Sequence, residues 1–287
     1  MSRFKRNFTK IEELKNDNLF GNHLKEDIKK GVVFPAVRDD YMCFYYKGSR
    51  PFVYDGEFST HKKYMSLLDI NYDYISRKDL LNPDIHNKFT TCYKAILQNC
   101  SKYAGLEAEG VSNLYSEYSY VNSDNDIVVL DIEIAFENES KKIEKETTHR
   151  IDLLLYNKLN RTLRFVEAKH FLNGEIWAKE GKKPKVIKQI NKYNKTIEKN
   201  KQTIINEYSK YITIVNKLFG LNILVPNSII VDCGLFIFGY DGYQKDKIKK
   251  LLIDDGSLEG INHYERGSTK SSKTPNVINT LWKKLLT

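Results

Sequence analysis

Glu167 and Lys169 stand two residues apart inside an apolar run, Leu163–Phe171 (LRFVEAKHF). On a strand, residues two apart point to the same face, so a carboxylate and an ammonium would project together from a half-buried surface. Unpaired charges are expensive there. Other acidic-x-Lys pairs occur at Glu13/Lys15, Asp27/Lys29, Glu139/Lys141 and Glu180/Lys182, but these lie in helix-like or hydrophilic segments. An ion pair within one strand would account for Glu167 and Lys169 alone. Asp152 changes the balance. It sits in a second apolar run, His149–Tyr156 (HRIDLLLY), and the turn residues 157–161 (NKLNR) would fold that run back as a hairpin. Counting from the turn brings Asp152 near the level of Glu167 and Lys169. Two adjacent carboxylates suit a hard divalent cation such as Mg2+ or Mn2+. A cation so held could polarise a phosphoryl oxygen or activate water, while Lys169 orients the water or stabilises developing charge.

The pattern Asp152, then Glu167-x-Lys169 on the next strand, resembles the PD-(D/E)XK nuclease superfamily. Residues 83–253 follow its helix–strand–strand–strand–helix–strand order, with two departures. Ile151 rather than proline precedes Asp152, and an extra strand is expected at 127–136. Gln189 and Tyr193, one turn apart on the following helix, resemble the Q-x-x-x-Y motif of RecB-like and lambda-exonuclease-like members. An ordinary core tyrosine with a glutamine at its edge would give the same pair. The resemblance implies a restriction-endonuclease-like core and Mg2+-dependent hydrolysis of DNA phosphodiesters, with Asp152, Glu167, Lys169, Gln189 and Tyr193 at the site. It also implies an upstream acidic ligand. Glu117 is the first choice, as a residue of the expected first strand, followed by Glu133 and Glu109. The partners it implies are DNA and other subunits of a restriction, repair or defence system.

The elements that must position these residues are legible as an α/β order with a mixed sheet flanked by helices. Residues 9–30 read as helical, with Ile11, Leu14 and Leu19 on the apolar side. Residues 32–60 read as a small β-meander punctuated by Gly48 and Gly56. Asn82-Pro83-Asp84 marks a helix start. Strands are expected at 113–121, 127–136, 148–156 and 162–171, a long helix at 184–218, a buried strand at 228–240 and a short helix near 245–252. This gives a β-rich N-terminal region of unknown role, 1–80, and a nuclease-like domain, 81–287. Aromatic and basic residues interleave at 34–38 (FPAVR) and 44–48 (FYYKG), which fits either nucleobase stacking or a small hydrophobic core.

Composition bounds the rest. With 41% apolar residues in 287, the chain can bury a real core. The net charge of +9, from 46 basic and 37 acidic residues, points only weakly to a polyanionic partner. Its placement says more: Lys185, Lys188, Lys192, Lys195 and Lys199 recur three and four apart on the long helix, and could follow a phosphate backbone or form a solvated face. His149 and His170 fall on the opposite strand face from the acidic pair. Cys43, Cys92, Cys100 and Cys233 show no zinc spacing, as expected of reduced thiols in a cytoplasmic protein. The basic N-terminus lacks a following apolar stretch, so no secretory signal is expected, and no apolar run is long enough to span a membrane. No phosphate-binding loop of the G-x-x-x-x-G-K-[ST] kind is present. Two other readings stay open: a non-catalytic nucleic-acid-binding module on the same fold, and an accidental resemblance in an enzyme of another class.

Overall fold

Two stretches of β-prone sequence, one rich in aromatics and one in aliphatics, build two separate sheets. The structure, a computed structural model, describes residues 4–61, 64, 91–136, 150–178, 182–270 and 276–286. Among these the chain is mixed α/β, with nine strands and seven α-helices. Its packing falls into two units. One gathers the described residues of Lys5–Ser123 and Ser209–Ile223, the other those of Met1–Phe4, Asp124–Tyr208 and Leu224–Thr287. The boundary expected at 80/81 and the helix start expected at 82–84 lie outside the described residues.

In the first unit the charged stretch 9–30 is helical but broken. Helix α1 (Ile11–Asn16) ends at Asp17, whose carboxylate accepts the Leu19 N–H at 2.7 Å. A π-helical turn, Phe20–Leu24, then leads into α2 (Lys25–Lys29). Ile11, Leu14 and Leu19 are buried, as the spacing predicts. Strands β1 (Phe34–Val37), β2 (Met42–Tyr46), β3 (Ser49–Tyr54) and β4 (Phe58–Ser59) form an antiparallel meander in chain order. Lys47 and Gly48, both at positive φ, make the two-residue turn between β2 and β3 that suits the twist of a hairpin. Phe34, Phe44, Phe52 and Phe58 are wholly buried in this unit. The aromatics of 34–38 and 44–48 are therefore core rather than a stacking surface; only Tyr46 among them is partly open, with Lys47 over its ring. Helix α3 (Tyr93–Ser101) packs on β2 and β3.

The run 113–121 is not the strand its alternating tyrosines predict. It belongs to helix α4 (Leu106–Tyr118), because its buried positions, Val111, Leu114, Tyr115 and Tyr118, recur at helical spacing.

The second unit holds the sheet of five strands: β5 (Ile127–Ile134), β6 (Ile151–Asn157), β7 (Thr162–His170), β8 (Ser228–Phe238) and β9 (His263–Arg266). They lie side by side in that order, β5, β6 and β7 antiparallel, then β8 and β9 parallel to β7. Helix α5 (Lys185–Phe219) makes the crossover from β7 to β8 and, up to Tyr208, belongs to this unit. Val186, Ile190, Tyr193, Ile197 and Tyr208 form its buried face. Asn194 of α5 accepts the Cys233 N–H at 2.8 Å and donates to Asp232 at 3.2 Å, fastening the helix to a bulge in β8. Helix α6 (Gly242–Ile248) continues into a π-helical turn, Lys249–Ile253. Helix α7 (Val277–Lys284) packs on β5 and β9. At Gly234 an added Cβ would meet Leu285 Cδ1 at 2.5 Å, so the leucine side chain would have to shift. No helix among the described residues is long and apolar enough to cross a membrane.

Candidate functional site

Strand β7 is central, and from Leu163 to Lys169 every residue is buried. A sequence covered on both faces should read as continuously apolar, yet Glu167 and Lys169 keep only 1% and 6% of their surface. Their burial is made tolerable by direct partners. Lys169 Nζ lies 2.8 Å from Glu167 Oε1, and Gln189 Nε2 of α5 donates to the same oxygen at 2.7 Å. Gln189 Nε2 also lies 2.8 Å from the Tyr193 hydroxyl, which donates to the Arg150 carbonyl at 3.0 Å. The helix pair thus clamps the strand carboxylate from one side.

Asp152 reaches the same spot from β6. The β6–β7 ladder runs from Asn157↔Thr162 to Leu153↔Val166 and stops there. One step further, where Asp152 would face Glu167, the carboxylate replaces the backbone ladder: Asp152 Oδ2 accepts the Ala168 N–H at 2.7 Å. Asp152 keeps part of its surface open to solvent. Burial, then the Glu167 charge, push its pKa well above the ordinary carboxylate value, against the pull of Lys169 and the Ala168 N–H. Burial and the Glu167 charge likewise push up the Tyr193 phenol and the neighbouring Cys233 thiol.

Two further carboxylates border this pair. Glu133 lies on β5 between Ile132, paired with Leu153, and Ile134, paired with Ile151, and so opposite Asp152. Its charge also raises the Asp152 pKa. It is held at φ 52, a region that costs a non-glycine residue energy, and its carboxylate lies 3.4 Å from Arg150 Nη1. Glu175, in the turn after β7, places Oε2 3.5 Å from Lys169 Nζ, while its carbonyl accepts the Val186 N–H at the start of α5.

Strand spacing therefore anticipates Asp152, Glu167 and Lys169, the family resemblance adds Gln189 and Tyr193, and the fold brings all five together. Glu117 and Glu109 are exposed residues of helix α4, which belongs to the other unit, whereas Glu133 adjoins Asp152. Glu175 and Arg150 were not foreseen. One sits in a turn with no periodicity, the other just before its strand begins. His170 is turned away from the acidic pair, its ring against Phe238, and His149 lies outside the described residues.

Lys185, Lys188, Lys192, Lys195 and Lys199 are all exposed on α5. With Lys183 they line an open depression of about 1030 Å3 along the helix. At helical spacing Lys185 and Lys192 border the side of α5 that carries Gln189.

Among the described residues no group of three or more His, Cys, Asp or Glu is assembled to hold a metal ion. The donor set nonetheless fits a hard cation. Mg2+ takes one or two carboxylates and keeps several waters, and Asp152 and Glu167 supply two. Around them four carboxylates (Glu133, Asp152, Glu167, Glu175) face two cations (Arg150, Lys169), a formal excess of two negative charges. Compared with family models, curated proteins and solved structures, the chain matches none of them.

Proposed function

We propose that the five-stranded unit is a metal-dependent nuclease of the PD-(D/E)XK kind, a restriction-endonuclease-like core that hydrolyses DNA phosphodiesters. The observation that carries this is the opening of the β6–β7 ladder at Asp152, which brings two carboxylates and a lysine from adjacent strands to one buried point. A salt bridge that served stability alone would not require a second carboxylate there, since removing charges from such a place is often neutral or favourable.

Asp152 and Glu167 would hold Mg2+ or Mn2+, with Glu133 as the upstream acidic residue. The bound cation supplies a Lewis acid for the phosphoryl oxygen and lowers the pKa of a coordinated water. Gln189 fixes the Glu167 carboxylate through its 2.7 Å hydrogen bond, and Tyr193 fixes Gln189 in turn. Lys169 places an ammonium beside Glu167 Oε1, where it can orient the attacking water or stabilise charge building on the phosphoryl oxygens. Lys185, Lys188 and Lys192 offer contacts to the phosphate backbone beside the site.

Asp152→Ala tests the reading. The variant should lose metal-dependent cleavage by 100-fold or more, roughly the scale of removing a charge-stabilising group, and should lose calorimetric Mn2+ binding while keeping its circular dichroism spectrum. Full-rate cutting by Asp152→Ala would remove the assignment. A second reading, a nucleic-acid-binding module without turnover, is favoured by one observation: Lys169 is engaged on both sides, by Glu167 and Glu175. It predicts salt-sensitive binding with no cutting in any divalent metal.

A further inference from the structure

Tyr243 is 95% exposed, far more than any other large aromatic side chain described. A single exposed apolar residue needs no explanation in general, but this one stands at a particular place in the fold. Helix α6 begins four residues after β8 ends, and β8 runs parallel to β7 with Lys169 beside Ile237 and His170 beside Phe238. Tyr243 therefore leaves the same end of the sheet as Lys169, the end where open α/β sheets bind ligands.

Side-chain contacts connect the two places. Lys247 lies one helical turn from Tyr243 and sets its ammonium 5.0 Å from the centre of the Trp177 ring and 5.9 Å from that of Phe171. These rings meet edge to face at 5.2 Å, and Trp177 Nε1 donates to the Phe171 carbonyl at 3.1 Å. Between them in sequence stands Glu175, whose carboxylate reaches Lys169. The helix that carries Tyr243 is itself fixed by a reciprocal cap: Gln244 N–H donates to Asp241, and Asp241 N–H donates to Gln244. The ring is thus held out into water on ordered backbone.

The helix and the turn after it carry Lys245, Lys247, Lys249 and Lys250, with Asp241 and Asp246 among them and Asp254 and Asp255 just beyond. Helical spacing places Lys247 and Lys250, together with Asp246, on the side of Tyr243. An exposed ring with ammonium groups on its flank matches a nucleobase with its backbone phosphates.

We propose that Tyr243 is a stacking platform for an unpaired nucleobase, with Lys247 and Lys250 contacting the adjoining phosphates. Because a base within a duplex has both faces covered, the strand handled here is single-stranded or frayed at this margin. The inference rests on the nuclease reading for what happens at Asp152 and Glu167, but its test does not require cutting.

The test is fluorescence anisotropy in EDTA with labelled single-stranded DNA, single-stranded RNA and blunt duplex DNA, for the unaltered protein, Tyr243→Ala and Tyr243→Phe. Tyr243→Ala should weaken binding of one or both single strands by roughly 5- to 150-fold, the scale of one lost stack. Duplex affinity should change by less than about twofold, and Tyr243→Phe, which keeps the ring, should bind like the unaltered protein. Unchanged single-strand affinity in Tyr243→Ala overturns the proposal, as does an equal loss in Tyr243→Phe or on the duplex. So does an unaltered protein that binds no nucleic acid, the result expected if this face serves a protein partner. A parallel cleavage assay in Mg2+ separates the two readings. Cutting with no effect of Tyr243→Ala on binding sinks only the stacking role; stacking without cutting sinks only the nuclease.

Discussion

Glu167 is the residue on which the others converge: Lys169 and Gln189 share its Oε1, and Asp152 takes the N–H of the next residue. The placement of Asp152, Glu167 and Lys169 is legible in sequence because strand alternation and a short hairpin are local rules. Glu133 is harder to read, since its role depends on a register that the bulge between Val129 and Asp131 has shifted. Burial and the Glu167 charge raise the Asp152 pKa, so between the ordinary carboxylate range and that raised value the folded chain holds a proton the unfolded chain has released. Stability then falls as pH rises through this window. In EDTA, Asp152→Asn should therefore melt higher than the parent at neutral pH, by roughly 2–4 °C per kcal/mol gained, with the gap closing towards acid. A lower melting temperature for Asp152→Asn at neutral pH would contradict this. Gln189→Ala removes a donor from a buried carboxylate and should cost about 1–3 kcal/mol, read by urea denaturation. It should also slow cleavage while Gln189→Glu, which adds a second carboxylate to the clamp, slows it more.

At the scale of elements, β7 and α5 together make the site. The strand supplies the charged pair, and the helix supplies both the clamp and the lysines beside it. Strong helical spacing makes α5 readable almost to its ends, Lys185–Phe219 against 184–218 from the sequence. Helix α4 is the counterexample: tyrosines alternating with small polar residues imitate a strand, and tertiary burial of Leu114, Tyr115 and Tyr118 decides for the helix. Removing Lys185, Lys188 and Lys192 together should cut the slope of log affinity against log salt by about 2–3, measured by titrating binding at several salt concentrations. An unchanged slope would make the stripe a solvated face. In the meander, Gly48 is held at φ +78 with Ala108 Cβ 2.3 Å from where its own Cβ would be, so Gly48→Ala strains the turn and collides with α4. A loss of about 2–4 kcal/mol is expected, measured by urea denaturation.

For the whole molecule, a mixed α/β architecture follows from the order of β-prone runs and long amphipathic segments. What periodicity does not carry is the grouping of segments far apart in the chain. Residues 209–219 end a helix that begins in one unit and, with 220–223, pack in the other, a division no local pattern marks. Likewise β9 is only four residues long and is placed by its pairing with β8. The surplus of charge is also uneven in the molecule, with exposed lysines gathered along α5. Up to Tyr208 that face belongs to the five-stranded unit, the unit that holds the paired carboxylates.

The most direct measurement is cleavage of linear duplex, circular duplex and single-stranded DNA, and of RNA, by purified protein in Mg2+, Mn2+ or EDTA, beside Lys169→Ala. DNA cutting should require the metal and fall by roughly 100-fold or more in the variant, with the variant's circular dichroism unchanged. Absence of cutting in either metal, or a Lys169→Ala protein that cuts at the parent rate, would contradict the nuclease reading.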